Sequence, residues 1–218
     1  MTGFPNSPRV LKGGLVLIDP DTSAVQRIIT LQYNPDTLTR SLQPQAVKDS
    51  GDRSEALRLT GPPVETIKLD AEIDATDQLE FPDQNAHAVQ FGIQPQLAAL
   101  ETVVYPSSAR LMSNNAMAAA GMLEILPMVS SLSLFIWSRS RIVPVRVTDF
   151  SITEEAFDTA LNPIRAKVSL GMRVLSVNDL GFDVKGGALY LAYQRQKEQF
   201  AALNLGGTLG QFGITELP

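Results

Sequence analysis

The chain has 218 residues, with 18 basic and 23 acidic side chains and a formal net charge of −5. At 44% hydrophobic and 19% charged residues it has an ordinary globular composition, and it is long enough to bury a full core without metals or disulfides. Cysteine is absent, which excludes thiol catalysis, thiolate metal centres and a disulfide framework. The mildly acidic balance, with no basic run beyond the scattered Arg139, Arg141 and Arg146, argues against nucleic acid as a partner.

Met1 to Lys12 lacks the charged start and apolar run of a signal peptide. No stretch reaches the roughly 20 continuous apolar residues of a membrane span. The nearest, Ala116–Trp137, is broken by Glu124, Pro127 and serines. The expectation is a cytoplasmic protein with no membrane partner.

Gly14–Asp19 reads as a short strand and Pro20–Ser23 as turn chemistry. Val25 to Tyr33 then places Val25, Ile29, Leu31 and Tyr33 on one side at period two, so the two segments predict an N-terminal hairpin. Pro35 ends it, since proline cannot donate to a ladder and forces Asn34 into an extended conformation. Residues 43–62 are polar and predict a solvated loop. Val64–Ile73 alternates cleanly, with Ile67, Leu69, Ala71 and Ile73 opposite Thr66, Lys68, Asp70 and Glu72, and predicts a half-buried strand.

From Ile93 to Tyr105 the period becomes helical through Ile93, Leu97, Leu100 and Val104, with Pro95 in the first turn and Pro106 closing the helix. Residues 107–128 fit either a loop or a loop with a short helix. Leu132, Leu134 and Ile136 begin a strand towards Trp137. Val143, Val145 and Val147 alternate with polar residues, and Phe150 and Ile152 continue one position out of phase, which predicts a bulge near Thr148–Asp149. After the turn signal Asp158–Pro163, Ile164 to Val174 alternates without interruption.

The two arms, Val143–Phe157 and Asn162–Val174, predict a hairpin some 40 Å long at roughly 3.3 Å per residue. Strands of this length exceed the usual five or six residues, and open edges on them would aggregate unless neighbouring chains pair with them. The pattern therefore points to an oligomer. Gly187–Leu203 predicts a C-terminal helix ended by Asn204 and Gly206-Gly207, followed by a tail.

The motifs of chemistry are missing. His87 is the only histidine, so no histidine-based metal site or catalytic triad can be assembled, and no nucleophile elbow, P-loop or zincin motif occurs. Asp70, Glu72 and Asp74, with Asp77 and Glu80 beyond, could offer oxygens to calcium, but the loop glycine that calcium sites require is absent. A solvated strand face is the favoured reading. The glycine pairs Gly13-Gly14, Gly186-Gly187 and Gly206-Gly207 punctuate element ends and match no dinucleotide fingerprint. Arg165, Lys167 and Arg173 put cations on one face of the last strand, either a solvated face or one turned to a lumen or neighbour. The sequence thus predicts no enzyme and no cofactor or metal.

Three stretches together resemble a known family. Leu31-Gln-Tyr-Asn-Pro-Asp-Thr-Leu-Thr-Arg40 is similar to the early Asn-Pro strand end of the tube-initiating adaptors of phage-tail-like contractile injection systems. Gly92 to Pro106 resembles that family's central helix, and Val143–Asp158 followed by Leu161–Val168 resembles its signature hairpin. The string Thr-Glu-Glu…Phe-Asp…Leu-Asn-Pro-Ile-Arg-Ala is the most specific of the three.

The resemblance spans roughly residues 12–200. It implies a mainly β, α+β fold of the tube type, a β-barrel or sandwich with a central helix, a long hairpin and a C-terminal helix. It further implies a homo-hexameric ring between the spike hub and the inner tube, contacting inner-tube, hub and baseplate proteins, in a particle kept in the cytoplasm or released. An inner-tube or other baseplate ring protein of the same machine is the alternative. Residues 1–180 form the expected tube-like domain and residues 181–218 the helix and tail. Many relatives carry a LysM-like module after that helix, whereas about fifteen residues follow Leu203 here, so the module is not expected. Candidate subunit-interface residues are Asn34, Pro35, Asn162, Pro163, Arg165, Val168 and Leu170.

Overall fold

The computed structural model describes residues 10–46, 58–121 and 130–217. Gly14–Ile18 (β1) and Val25–Thr30 (β2) form the N-terminal hairpin. Its turn is held by Asp19, whose carboxylate accepts from the Thr22 backbone at 2.8 Å and the Thr22 hydroxyl at 2.9 Å. β2 stops earlier than its apolar pattern suggests. Ile29 and Leu31 are buried, but Val25 and Tyr33 are exposed, because β2 lies at a sheet edge with only β1 beside it.

The expected loop over residues 43–62 is a correction. Leu38–Ala46 (β3) and Leu59–Asp74 (β4) extend into it from both sides as a paired hairpin. Only residues 47–57 of that loop lie outside the described residues. β3 escapes a hydrophobic-pattern search because it is a mostly exposed edge strand, where alternation has no core to satisfy. Pro44 fits there, between the register shifts at Gln43 and Gln45. Pro62 and Pro63 fall in the part of β4 that has β3 as its one ladder neighbour.

Short helices follow: Thr76–Leu79 (α1), Ala86–Phe91 (α2), Gln94–Glu101 (α3) and Ser108–Ala119 (α4). α3 is the predicted central helix, with Pro95 in its first turn and Ile93, Leu97 and Leu100 buried, but it ends at Glu101 rather than Tyr105 and leaves the fourth marked residue, Val104, exposed. Burial of each is worth about 1.5–3 kcal/mol. α2 reaches α3 through Gly92, whose φ of +58° suits glycine alone. A Cβ there would also collide with the Pro163 carbonyl oxygen, the acceptor for Ile93 N at 2.9 Å. α4 resolves the ambiguous stretch as a helix, capped by the Ser107 hydroxyl and with no buried residue. Residues 122–128 of that stretch lie outside the described residues.

Leu132–Ser138 (β5), Arg141–Phe157 (β6) and Pro163–Val174 (β7) complete the sheet, and Val177–Leu180 (α5) and Lys185–Leu203 (α6) follow. Among the described residues the sheet has seven strands in the order β2-β1-β5-β6-β7-β4-β3, every neighbouring pair antiparallel. The fold is mixed α+β with a mainly β core, as the sequence indicates.

One face of the sheet carries the core at period two: Ile67, Leu69, Ala71 and Ile73 from β4, and Ala166, Val168, Leu170, Met172 and Val174 from β7. α3 and the buried Tyr190 and Tyr193 of α6 join the same cluster. No ladder joins β2 to β3. The far ends are instead drawn together by Gln32, just past β2, whose side chain bonds the backbone of Asp74 at the end of β4. No helix of the described residues is long and apolar enough to cross a membrane.

Candidate assembly surfaces

The long hairpin contains the predicted bulge. Val147 pairs with Met172 and Asp149 with Gly171, which leaves Thr148 as the extra residue. Val143 and Val145 face the core before it, and Phe150 and Ile152 pack against the core after it. Gly171 belongs at this point, since a Cβ there would stand 2.9 Å from the Asp149 Cβ.

The expectation of two open hairpin edges needs correction. β7 is an interior strand, paired with β6 on one side and with β4 from Arg165 to Arg173 on the other. β6 is covered by β5 only from Arg141 to Val145. From Arg146 to Phe157 its outer edge has no ladder partner among the described residues.

The candidate interface residues divide accordingly. Val168 and Leu170 are buried on the core face of β7, whose ladder is paired on both sides. Pro163 is also buried. Asn34 and Asn162 are staples within the protomer. The Asn34 carboxamide accepts from Gly13 N at 2.9 Å and donates to the Leu11 carbonyl at 2.7 Å, beside half-buried Pro35. Asn162 donates to Asp158 at 2.8 Å and to the Gln90 carbonyl at 3.2 Å, which ties the hairpin turn to α2. These bonds hold the Asp158 carboxyl below its ordinary pKa, with the Asn162 side chain as the largest cause. Of the seven, Arg165 alone presents a charge to solvent.

Arg165 belongs to a polar plate on the outer face of the sheet. Register places Asp70 beside Ser169, Glu72 beside Lys167 and Asp74 beside Arg165. Glu155 of β6 lies 3.3 Å from both Arg165 and Lys167, and the Ser169 hydroxyl donates to Asp70 at 2.6 Å. Each acidic residue of β4 therefore has a cation or hydroxyl beside it. No cluster of three or more metal-ligating side chains occurs among the described residues. Arg173 is drawn away from the plate, to Asp179 of α5 at 2.7 Å. His87 is exposed in the first turn of α2.

Sequence reading missed Glu65. It is 3% exposed, and its carboxylate joins β4 to β3 and α6. Its Oε1 accepts from Arg40 Nε at 2.8 Å and the Tyr193 hydroxyl at 2.9 Å, and Lys197 Nζ reaches Oε2 at 3.0 Å. The Lys197 ammonium also lies 3.9 Å above the Tyr193 ring. Burial raises the Glu65 pKa, but the bonds from Lys197, Tyr193 and Arg40 outweigh it and hold the carboxyl below its ordinary value. The same burial, followed by the bond to Glu65, pushes the Tyr193 phenol far upwards. The sequence offered one clue, a glutamate among β4 positions that otherwise alternate polar and apolar.

Beyond Lys197 the helix overhangs the body. Glu198 to Leu203 is exposed on all sides, and the following segment, Asn204–Leu217, is exposed throughout. It carries Leu205, Leu209, Phe212, Ile214 and Leu217, with Phe212 77% exposed. Where α3 turns into α4, a cleft of about 800 Å³ lies between that corner and the N-terminal hairpin.

No known family matches the chain, and no curated protein matches it. Among solved structures it is similar to a chain in the tail of an empty gene transfer agent particle solved in C6 symmetry, at 14% identity. That match covers 74% of this chain and 90% of the other, with a TM-score of 0.28. It is also similar to a chain in the virion of a native gene transfer agent particle, at 11% identity over 74% and 90% of the two chains, with a TM-score of 0.26.

Proposed function

We propose that this chain is a structural ring subunit of a phage-tail-like contractile injection particle, acting as the adaptor that joins the spike hub to the inner tube. The observation that carries the reading is the outer edge of β6, Arg146–Phe157, left without a ladder partner on a strand otherwise built into the sheet. Such an edge offers a row of backbone donors and acceptors to a neighbouring copy. Copies joined head to tail by that edge form a closed ring when the rotation between them closes. The hairpin motif that bears this edge is also the most specific part of the resemblance to tube-initiating adaptors.

A ring between unlike partners needs two different faces. The regular sheet with its polar plate is the tube-like one. The exposed helix α4 and the overhanging end of α6, Glu198–Leu203, belong to the hub and baseplate side. No catalytic residue, metal or cofactor takes part, and the ring is six copies assembled in the cytoplasm.

Adjacent proline substitutions test the ladder. Backbone N–H groups along β6 alternate between β7 and the outside. Of Thr153→Pro and Glu154→Pro, one removes an internal bond and loses stability. The other keeps the monomer's melting temperature within a few degrees and abolishes assembly. Normal assembly by both variants would overturn the role of the β6 edge. Val168→Pro is no substitute, since β7 is paired on both sides and that variant unfolds the protomer.

A further inference from the structure

We infer that the C-terminal arm, Asn204–Leu217, of one copy seats in the cleft between the α3–α4 corner and the N-terminal hairpin of a second copy. This deepens the proposed ring reading, by naming a contact between neighbours distinct from the β6 edge.

Both halves of the contact are present on one chain. The arm is a short apolar ligand: Leu205, Leu209 and Phe212 recur at helical spacing, Leu209–Phe212 forms a 3₁₀ turn, and Ile214 and Leu217 follow. None of these side chains is buried against its own body. Five large apolar residues in so short an exposed segment mark a contact surface, because monomeric proteins seldom leave such a cluster in water. The cleft, about 800 Å³, falls in the range of roughly 300–1,000 Å³ that receives a ligand of several side chains. Val103, Val104 and Tyr105 form its apolar wall, and Val104 and Tyr105 are themselves exposed.

Charge selects the same pairing. The arm's one charged side chain is Glu216, and the described residues that line the cleft include Arg27 and no acidic side chain. Fully extended, the arm spans about 45 Å at roughly 3.3 Å per residue, enough to cross to an adjacent copy. A second copy is therefore the occupant, with Phe212 and Ile214 against Val104 and Tyr105, and Glu216 against Arg27.

The absence of cysteine makes the test clean. Two full-length chains of different tag length, one carrying Phe212→Cys and the other Tyr105→Cys, are mixed in concentrated solution and treated with a short bis-maleimide. The expected product is the heterodimer in excess over both homodimers. Adding Glu216→Arg to the first chain lowers the yield by about tenfold, and adding Arg27→Glu to the second restores it. No heterodimer, homodimers in statistical proportion, or closure within a single chain carrying both cysteines would overturn the inference. The β6 proline variants separate the two claims. A heterodimer that survives the assembly-blocking proline leaves the arm contact standing even if the ring role falls, and a ring without the heterodimer does the reverse.

Discussion

The Gln32 carboxamide and the Asp74 backbone bond in both directions: Nε2 donates to the Asp74 carbonyl at 2.6 Å, and Oε1 accepts from Asp74 N at 3.0 Å. Gln32 follows an edge strand, and Asp74 ends a strand at the other side of the sheet order. A single side chain thus does what a further ladder would do in a closed barrel. It mimics a peptide group, with one donor and one acceptor offered to another backbone.

Gln32→Ala removes both bonds and leaves two backbone groups of Asp74 to find water. The expected loss is about 1–3 kcal/mol in urea unfolding, with an unchanged m-value. Gln32→Glu should cost at least as much, because it keeps an acceptor, removes the donor and sets a second carboxylate beside Asp74. A midpoint equal to that of the parent chain would show that the bridge does not hold the wrap together.

Glu65 governs how α6 behaves in acid. Its folded pKa lies below the ordinary value of about 4.3, so its contribution is fully present above that pH and is lost as the pH falls through the folded value. Lowering the pH from about 5 to 3 should therefore weaken the docking of α6, read as falling stability with Tyr190 and Tyr193 becoming exposed to solvent. Glu65→Gln should lose about 1–3 kcal/mol at neutral pH, since Arg40 and Lys197 are partly exposed and can rehydrate. The variant should also flatten the acid limb of the stability profile. An acid limb identical in the two proteins would remove Glu65 as its cause.

The acidic run of β4 lies beside Ser169, Lys167 and Arg165 of β7, so the fold should not depend on calcium. Thermal melts with and without a chelator are expected to coincide. A fall of several degrees on adding chelator would show that Asp70, Glu72 and Asp74 hold a cation.

The parts of this architecture legible in the sequence are those where one side of an element faces the core. β4 from Thr66 to Asp74, both arms of the long hairpin, its bulge at Thr148 and helix α3 all bury an alternating or helical stripe, and burial writes the period into the residues. β3 was hidden because an edge strand with an exposed pattern has no such constraint. α4 was ambiguous for the same reason. The open edge of β6 was half legible. The strand's length was visible, but which of its flanks was covered depends on β4 and β5, which lie far away in sequence. Asn34 and Asn162 attracted notice as motif residues, and the structure gives them local work as staples. Glu65 could not be singled out, because its partners Arg40, Tyr193 and Lys197 lie on β3 and α6 and meet it only in the fold.

In the proposed role, copies of this chain close into a ring within a tail-like particle. Native mass measurement of the full chain, co-expressed with the products of the genes flanking its own, tests it most directly. The expected result is a complex containing six copies of the chain, which falls apart in the β6 proline variant that keeps its fold. A chain that remains monomeric beside those partners, or enters their complex as a single copy, would contradict it.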